Sequence, residues 1–201
     1  MASPALTLPS YTSSTADKPL LGMTIGDKFD QIAAQYPDND ALIALHQNIH
    51  WRYRELQEEV NRCARALLAI GVKKGDRVGI WAPNCSEWTV TQFATAKIGA
   101  ILVNINPSYR THELEYALNQ SGARFLVTAN SFKTSDYGAM LYELAPELDT
   151  CTAGKLSSQK LPELECIINL SADKHAGMWR WADMMEESRH VSQTDVDDLQ
   201  A

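Results

Sequence analysis

The chain is organised around residues 75–110, which read GDRVGIWAPNCSEWTVTQFATAKIGAILVNINPSYR. The apolar run Arg77–Trp81 predicts a short strand, which Pro83 ends because proline cannot donate a ladder hydrogen bond. A helix is predicted from Ser86, its expected N-cap, to about Ile98. The second apolar run, 101–105, predicts another buried strand. A strand, a helix and a strand in this order predict a right-handed parallel crossover.

The same stretch indicates where a ligand would bind. Ligands of open parallel sheets lie beyond the carboxyl ends of the strands. Asn84 follows the first predicted strand, and the Asn104–Arg110 loop follows the second, so we expect both at this edge. Cys85 is the one cysteine beside this edge, and we expect the others to be buried, reduced thiols.

The rest of the chain alternates helical and strand patterns, which predicts an α/β fold with a doubly wound parallel sheet and a small N-terminal hairpin. The predicted elements are a helix at 24–36, hairpin strands at 41–45 and 49–51, helices at 53–70, 111–121 and 136–144, strands at 124–128 and 166–170, and a short helix at 179–188. The polar stretch 150–162 predicts a surface loop.

Length and composition limit how many domains the chain can form and which partners it can bind. Its 201 residues are 45% hydrophobic with a formal net charge of -7, enough for one domain or for part of a larger one. We expect a loose N-terminal segment at 1–20, an α/β subdomain at 21–191 and an acidic, weakly structured tail at 192–201. The acidic balance argues against a nucleic-acid partner. No apolar run reaches membrane-spanning length and no targeting segment is evident, so a cytoplasmic location is expected.

No strong catalytic motif is present. The chain lacks G-x-G-x-x-G after a strand, which disfavours a Rossmann oxidoreductase, and it lacks G-x-x-x-x-G-K-[ST], H-E-x-x-H and G-x-S-x-G. His46 and His50 lie four residues apart around a predicted hairpin, a poor arrangement for zinc.

Two further strings carry a family resemblance. Trp51–Leu56, WRYREL, resembles the motif L-[TS]-Y-x-E-L, with Arg52 where a capping Ser or Thr is usual. Ala96–Pro107, AKIGAILVNINP, resembles the motif L-K-A-G-x-A-Y-V-P-I-D. With these motifs in order, the chain from Leu20 onward resembles the AMP-forming acyl-CoA synthetases of the adenylate-forming superfamily. DRVGIWAPNCSEW and NINPSYRTHELEYALNQSGARFLVTA are especially similar to the medium-chain branch.

The resemblance implies a reaction, and it also implies that this chain lacks the groups that catalyse it. Family members join a carboxylate to CoA with ATP and Mg²⁺, releasing AMP and pyrophosphate. Their glycine-rich phosphate loop and other catalytic motifs have no matching positions here. The Tyr11–Pro19 segment echoes that loop but carries Ser14 and Asp17 at glycine positions, so we expect it not to bind nucleotide. The resemblance therefore implies the N-terminal portion of a fatty acyl-CoA ligase, an incomplete part of the adenylate-forming N-terminal domain. We expect it to be inactive alone and to bind none of the family's ATP, Mg²⁺ and CoA tightly.

Two cations are the candidate site residues that the resemblance implies. Lys133 lies in the loop after the RFLVTA string, where some relatives contact the CoA phosphates, and otherwise it would be a solvated lysine. Arg110 is the second candidate, and otherwise it would form a salt bridge to a nearby helix.

An alternative stays open at this point. The chain would then be a free-standing, non-catalytic α/β module that binds an acyl or nucleotide ligand or a protein partner. As partners, we expect the remainder of a synthetase chain, or self-association through uncovered sheet edges.

Overall fold

The computed structural model describes residues 20–200, in which helices and strands alternate. The helices are α1 Ile25–Gln35, α2 Tyr53–Ala69, α3 Ser86–Lys97, α4 Thr111–Ser121, α5 Tyr137–Leu144, α6 Trp181–Glu186 and α7 Gln193–Gln200. The strands are β1 Asp40–Ala44, β2 Ile49–Arg52, β3 Arg77–Trp81, β4 Ile101–Asn104, β5 Phe125–Thr128, β6 Ser131–Phe132, β7 Ser135–Asp136, β8 Cys166–Asn169 and β9 Trp179–Arg180. The Tyr11–Pro19 segment lies outside the described residues.

The central sheet has five parallel strands in the order β4-β3-β5-β8-β9. β1 and β2 form a separate antiparallel hairpin, and β6 and β7 form a second, shorter one. The predicted α/β class, the parallel sheet and the N-terminal hairpin are confirmed. All five strands of the sheet therefore end at the same edge.

Each face of the sheet buries its own apolar cluster. Val78 and Ile80 of β3 pack with Phe29 and with the inner faces of α2 and α3. Trp81 packs on the opposite face with residues of α4 and α5. Strand residues alternate between faces, so β3 contributes to both clusters and the sheet lies between two helical layers.

Two predictions about strands and caps are wrong. Cys85, not Ser86, is the N-cap of α3, and Ser86 is the first helical residue. β4 was expected to be a buried strand, but it is the edge of the sheet and Ile101 is 53% exposed. An apolar run indicates that the side chains of a strand are packed against other residues. It does not show whether one or two other strands pair with that strand.

The C-terminal part of the described chain also differs from expectation. Trp179–Arg180 pairs with β8 as a short strand, where a helix was expected to begin. Gln193–Gln200 forms α7, where a weakly structured tail was expected, and Val196 is fully buried. The 150–162 loop is less superficial than expected, since Leu156 and Leu161 are buried.

A buried ion pair ties four helices together. Lys97 of α3 is 1% exposed, and its Nζ lies 2.5 Å from Oδ2 of Asp30 on α1. Gln57 of α2 donates to Asp30 Oδ1 at 2.6 Å. Gln200 of α7 donates to Asp27 Oδ1 at 2.7 Å and to Asp30 Oδ2 at 3.1 Å. The Asp30 carboxylate therefore receives donors from three neighbouring helices.

The protein is expected to lose stability in acid because of Asp30. Burial alone would raise the pKa of Asp30, but hydrogen bonds from Lys97, Gln57 and Gln200 outweigh it and lower the pKa below the ordinary 3.8. A lowered folded-state pKa gives stability that is present above the ordinary pKa and lost as pH falls through the folded value. Urea titrations between about pH 5 and pH 3 measure this loss. As the pH falls, the free energy of unfolding should decrease less in Asp30→Asn than in the exposed control Asp38→Asn. Equal slopes in the two variants would contradict this.

Candidate functional site at the carboxyl edge of the sheet

The carboxyl edge carries a shallow cavity between the ends of β3 and β4. Its volume is about 310 Å³, and its lining includes Asn84, Trp88, Asn104, Asn106 and Pro107. The expectation that Asn84 and the Asn104–Arg110 loop lie at one edge is confirmed. The cavity presents three side-chain amides, which can donate to or accept from a polar ligand.

The loop after β4 is held in place by Tyr137. The hydroxyl of Tyr137 donates to the carbonyl of Pro107. Its backbone N–H donates to the Asn130 carbonyl at 3.0 Å, which places α5 against the end of β5. Burial raises the pKa of Tyr137 to about 12, so the phenol remains a neutral donor near pH 7. The loop is thus attached to α5 by a buried hydrogen bond.

An aromatic stack fixes the same region to the sheet. The rings of Trp81 and Tyr137 lie 3.5 Å apart at their centroids with an interplanar angle of 8°. Both residues are fully buried. Trp81 is the last residue of β3, so the stack joins the end of the central strand to the helix that holds the loop.

The last residues of three neighbouring strands form a row across the sheet. Trp81 pairs in register with Thr128, and Thr128 pairs with Asn169. Within residues 20–200, the indole N–H of Trp81 and the Nδ2 of Asn169 are buried without a hydrogen-bond acceptor. Asn169 Oδ1 accepts from the Ser171 N–H at 2.7 Å. A buried unpaired donor costs about 1–3 kcal/mol, so an acceptor group within reach of either donor would be stabilising. The sequence carried part of this signal, since Trp81 and Thr128 each end a predicted strand, whereas the third strand was predicted to end one residue after Asn169.

The two predicted cations lie on one structural unit. Nη1 of Arg110 donates to the Ser135 hydroxyl at 2.7 Å, and Ser135 belongs to β7. Lys133 lies at the turn between β6 and β7 with a φ of +53°, and its Nζ is 5.2 Å from the centre of the Phe132 ring. Arg110 forms no salt bridge to a helix among the described residues, contrary to the alternative considered from the sequence. Two exposed cations are therefore presented by the β6–β7 hairpin and the loop that contacts it.

The remaining candidate groups are Cys85 and the two histidines of the N-terminal hairpin. Burial raises the pKa of Cys85 to about 11, so its thiolate is scarce near pH 7 although it caps a helix. His50 pairs with Asp40 at 2.8 Å, and residues 20–200 contain no cluster of three His, Cys, Asp or Glu side chains suited to a metal. In the same part of the chain, no helix is long and apolar enough to cross a membrane.

Known sequences resemble most of this chain. A family model described as AMP-binding enzyme matches residues 29–199. The mitochondrial medium-chain acyl-CoA ligase ACSF2 of Mus musculus is 42% identical over 163 residues, which cover 81% of this chain and 26% of that protein. The ACSF2 ligase of Danio rerio is 36% identical over 199 residues, which cover 98% of this chain and 32% of that protein. The chain thus spans about a quarter to a third of these relatives.

Solved structures share the fold. A fatty acyl CoA synthetase of Mycobacterium tuberculosis superposes with a TM-score of 0.64 at 22% identity, over 85% of this chain and 29% of that one. The N-terminal domain of FACL13 from the same organism gives a TM-score of 0.63 at 22% identity, over 85% of this chain and 36% of that one. At 22% identity, this similarity shows that the chain shares its fold with these proteins.

Proposed function

The chain belongs to the AMP-binding enzyme family, and on that premise we propose that it is the N-terminal scaffold of an AMP-forming fatty acyl-CoA ligase. The observation that carries the proposal is the 42% identity to a medium-chain acyl-CoA ligase over 163 residues. The alternative, a non-catalytic binding module, has no better support. A cytoplasmic location stays a prediction, since the mitochondrial relatives describe only themselves.

The proposed reaction has two steps. A carboxylate oxygen attacks the α-phosphorus of ATP, forming an acyl-adenylate and releasing pyrophosphate. The CoA thiol then loses its proton to solvent and its sulfur bonds to the acyl carbonyl carbon, while the bond from that carbon to the phosphate oxygen breaks and AMP leaves. ATP and Mg²⁺ supply the phosphate chemistry, and we assign Mg²⁺ no ligand among residues 20–200. Catalysis of this kind depends on positioning and on stabilising phosphate charge.

The contribution of this chain is to position one side of that site. The Trp81–Tyr137 stack and the hydrogen bond to Pro107 keep the loop after β4 fixed at the carboxyl edge. We propose that Arg110 and Lys133 bind CoA phosphates, because both are exposed cations and Ser135 links Arg110 to the hairpin that carries Lys133. By itself the chain supplies no catalytic group and is expected to be inactive.

The test is a chimera in which this chain replaces the matched segment of the mouse ligase. Octanoyl-CoA formation by the chimera would support the proposed function. In that chimera, Arg110→Ala and Lys133→Ala should each raise the KM for CoA about tenfold, the cost of a charged hydrogen bond. The adenylation half-reaction should not change, because it does not use CoA.

The matched control is Lys155→Ala, which removes an exposed lysine from the 150–162 loop. This control should leave the KM for CoA unchanged. An unchanged KM in Arg110→Ala and Lys133→Ala, or an equal rise in Lys155→Ala, would refute the assigned contacts.

A further inference from the structure

A groove of about 390 Å³ runs along the outer side of α4. The helix packs into the protein through Leu114 and Leu118, which are buried. The groove lies on a different side of the helix, where Tyr116 is 66% exposed. Its lining includes His112, Glu113, Tyr116, Ala117, Gln120 and Ser121. Residues at this spacing are neighbours on a helix surface, so these six form one stripe, here called the α4 stripe.

The α4 stripe carries little charge. The whole chain has a formal net charge of -7, but Glu113 is the one carboxylate among the six residues of the stripe. Hydrogen bonds from the backbone N–H groups of Glu113 and Arg110 lower the pKa of that carboxyl, so it is an anion near pH 7. Because two copies of an acidic protein repel each other, a contact between copies needs a face with few carboxylates.

The order of residues in the α4 stripe is self-complementary. We consider two α4 helices that run antiparallel and cross between Tyr116 and Ala117. The Tyr116 ring of each copy then lies against Ala117 of the other, so a large side chain meets a small one. Glu113 of each copy faces Gln120 of the other, and its carboxylate can accept from the amide. Both contacts occur twice, as a two-fold symmetric interface requires.

The ends of the α4 stripe match as well. His112 of one copy faces Ser121 of the other. The Ser121 hydroxyl donates to the Ala117 carbonyl of its own helix at 2.7 Å. Its oxygen is then available as an acceptor, and the imidazole N–H of His112 can supply the donor.

Charge selects the antiparallel arrangement over the parallel one. A parallel pair would bring the two Glu113 carboxylates together, and like charges in contact are unfavourable. In the antiparallel pair they are about seven residues apart along the helix axis, or roughly 10 Å.

We propose that the α4 stripe is a self-association surface, through which two copies of this chain pair by an antiparallel, two-fold symmetric contact of their α4 helices. This inference goes beyond the proposed function and does not depend on it. The 11 residues of α4 span only about 16 Å, which is short for a standard interface of about 800 Å² on each partner. We therefore expect a weak dimer, with a dissociation constant of about 100 µM.

The first test is sedimentation equilibrium of the 201-residue chain at concentrations on both sides of that value. The chain should show a monomer–dimer equilibrium. Tyr116→Lys should raise the dissociation constant at least about tenfold, because it removes the aromatic side chain at the centre of the contact. The matched control is Tyr36→Lys, at an exposed tyrosine that follows α1, and it should leave the dissociation constant unchanged.

The second test is a substitution that should strengthen the dimer. Gln120→Lys places a cation opposite Glu113 of the second copy, twice in each dimer, and should lower the dissociation constant about threefold or more. Gln92→Lys, at an exposed glutamine of α3, adds the same charge elsewhere and measures the general effect of a lower net charge. Glu113 itself is left unchanged, because its carboxylate accepts from the Arg110 N–H at the start of α4 at 3.1 Å.

Four outcomes would overturn the inference. One is a chain that stays monomeric at every concentration. Another is a Gln120→Lys variant that associates less tightly than Gln92→Lys, since a parallel contact would bring the two new cations together. The third is a dimer that survives Tyr116→Lys but is lost in Ile101→Lys, which would place the contact at the edge of β4. The last is growth beyond a dimer, because a two-fold contact closes on itself.

Discussion

Replacing Trp81 by alanine is expected to lower the free energy of unfolding by about 3–5 kcal/mol, the usual cost of removing a large aromatic side chain from a core. Trp81 is fully buried, and its ring stacks on Tyr137 at 3.5 Å. The variant should also destabilise the loop after β4 at the candidate site, because the stack supports the tyrosine that holds Pro107. Urea unfolding followed by circular dichroism measures the stability change, and hydrogen exchange reports on the loop after β4.

The control for this variant is Tyr116→Ala, since Tyr116 is 66% exposed on α4. Removal of an exposed aromatic should change stability by about 0.5 kcal/mol or less. Faster amide exchange at Ser108 and Tyr109 in Trp81→Ala, and not in Tyr116→Ala, would confirm that the stack supports the loop. A loss below about 1 kcal/mol in Trp81→Ala would show that the Trp81 ring is not packed in the core.

Replacing Lys97 by methionine should cost about 3 kcal/mol, at the low end of the range for breaking a buried ion pair. Methionine keeps most of the volume of the side chain but leaves the Asp30 carboxylate without its cation. The Asp30 side chain is 30% exposed, so water offsets part of the loss. The change should also weaken the docking of α7, because Gln200 donates to the same carboxylate.

Lys28→Met is the matched control. Lys28 lies on α1, and among the described residues its side chain hydrogen-bonds only to Gln31. Replacing it should therefore leave the free energy of unfolding almost unchanged. A double-mutant cycle with Asp30→Asn isolates the pair, and the coupling should exceed about 1 kcal/mol. Additive effects, or an equal loss in Lys28→Met, would show that Lys97 acts through packing and not through its charge.

The sequence predicts the central part of the fold well because its signals there are local. Apolar runs at β3 and β5 and the helical period of α2 are visible within short windows, and the parallel crossover follows from their order. α7 is different. Its sequence QTDVDDLQ is polar, and it is held by burial of Val196 against α2 and α3. A helix of this kind depends on tertiary contacts that no local pattern reveals.

The candidate site is only partly predictable for the same reason. Parallel topology alone brings Asn84 and the loop after β4 to one edge, so the sequence predicts this part of the site. The Trp81–Tyr137 stack and the contact between Arg110 and Ser135 join residues far apart in the chain. Such contacts depend on how helices pack on the sheet, which neither periodicity nor spacing specifies. β9 shows the same limit, since two residues become a strand only by pairing with β8.

The scaffold role of the chain is tested most directly by ATP–pyrophosphate exchange with octanoate, measured in parallel on this chain and on its chimera with the mouse ligase. If the chain is a scaffold that positions a site whose catalytic groups come from elsewhere, the chain alone should show no exchange above background and the chimera should show it clearly. Octanoate-dependent exchange by the 201-residue chain alone would contradict the proposed scaffold role. A folded chimera without exchange would contradict it as well.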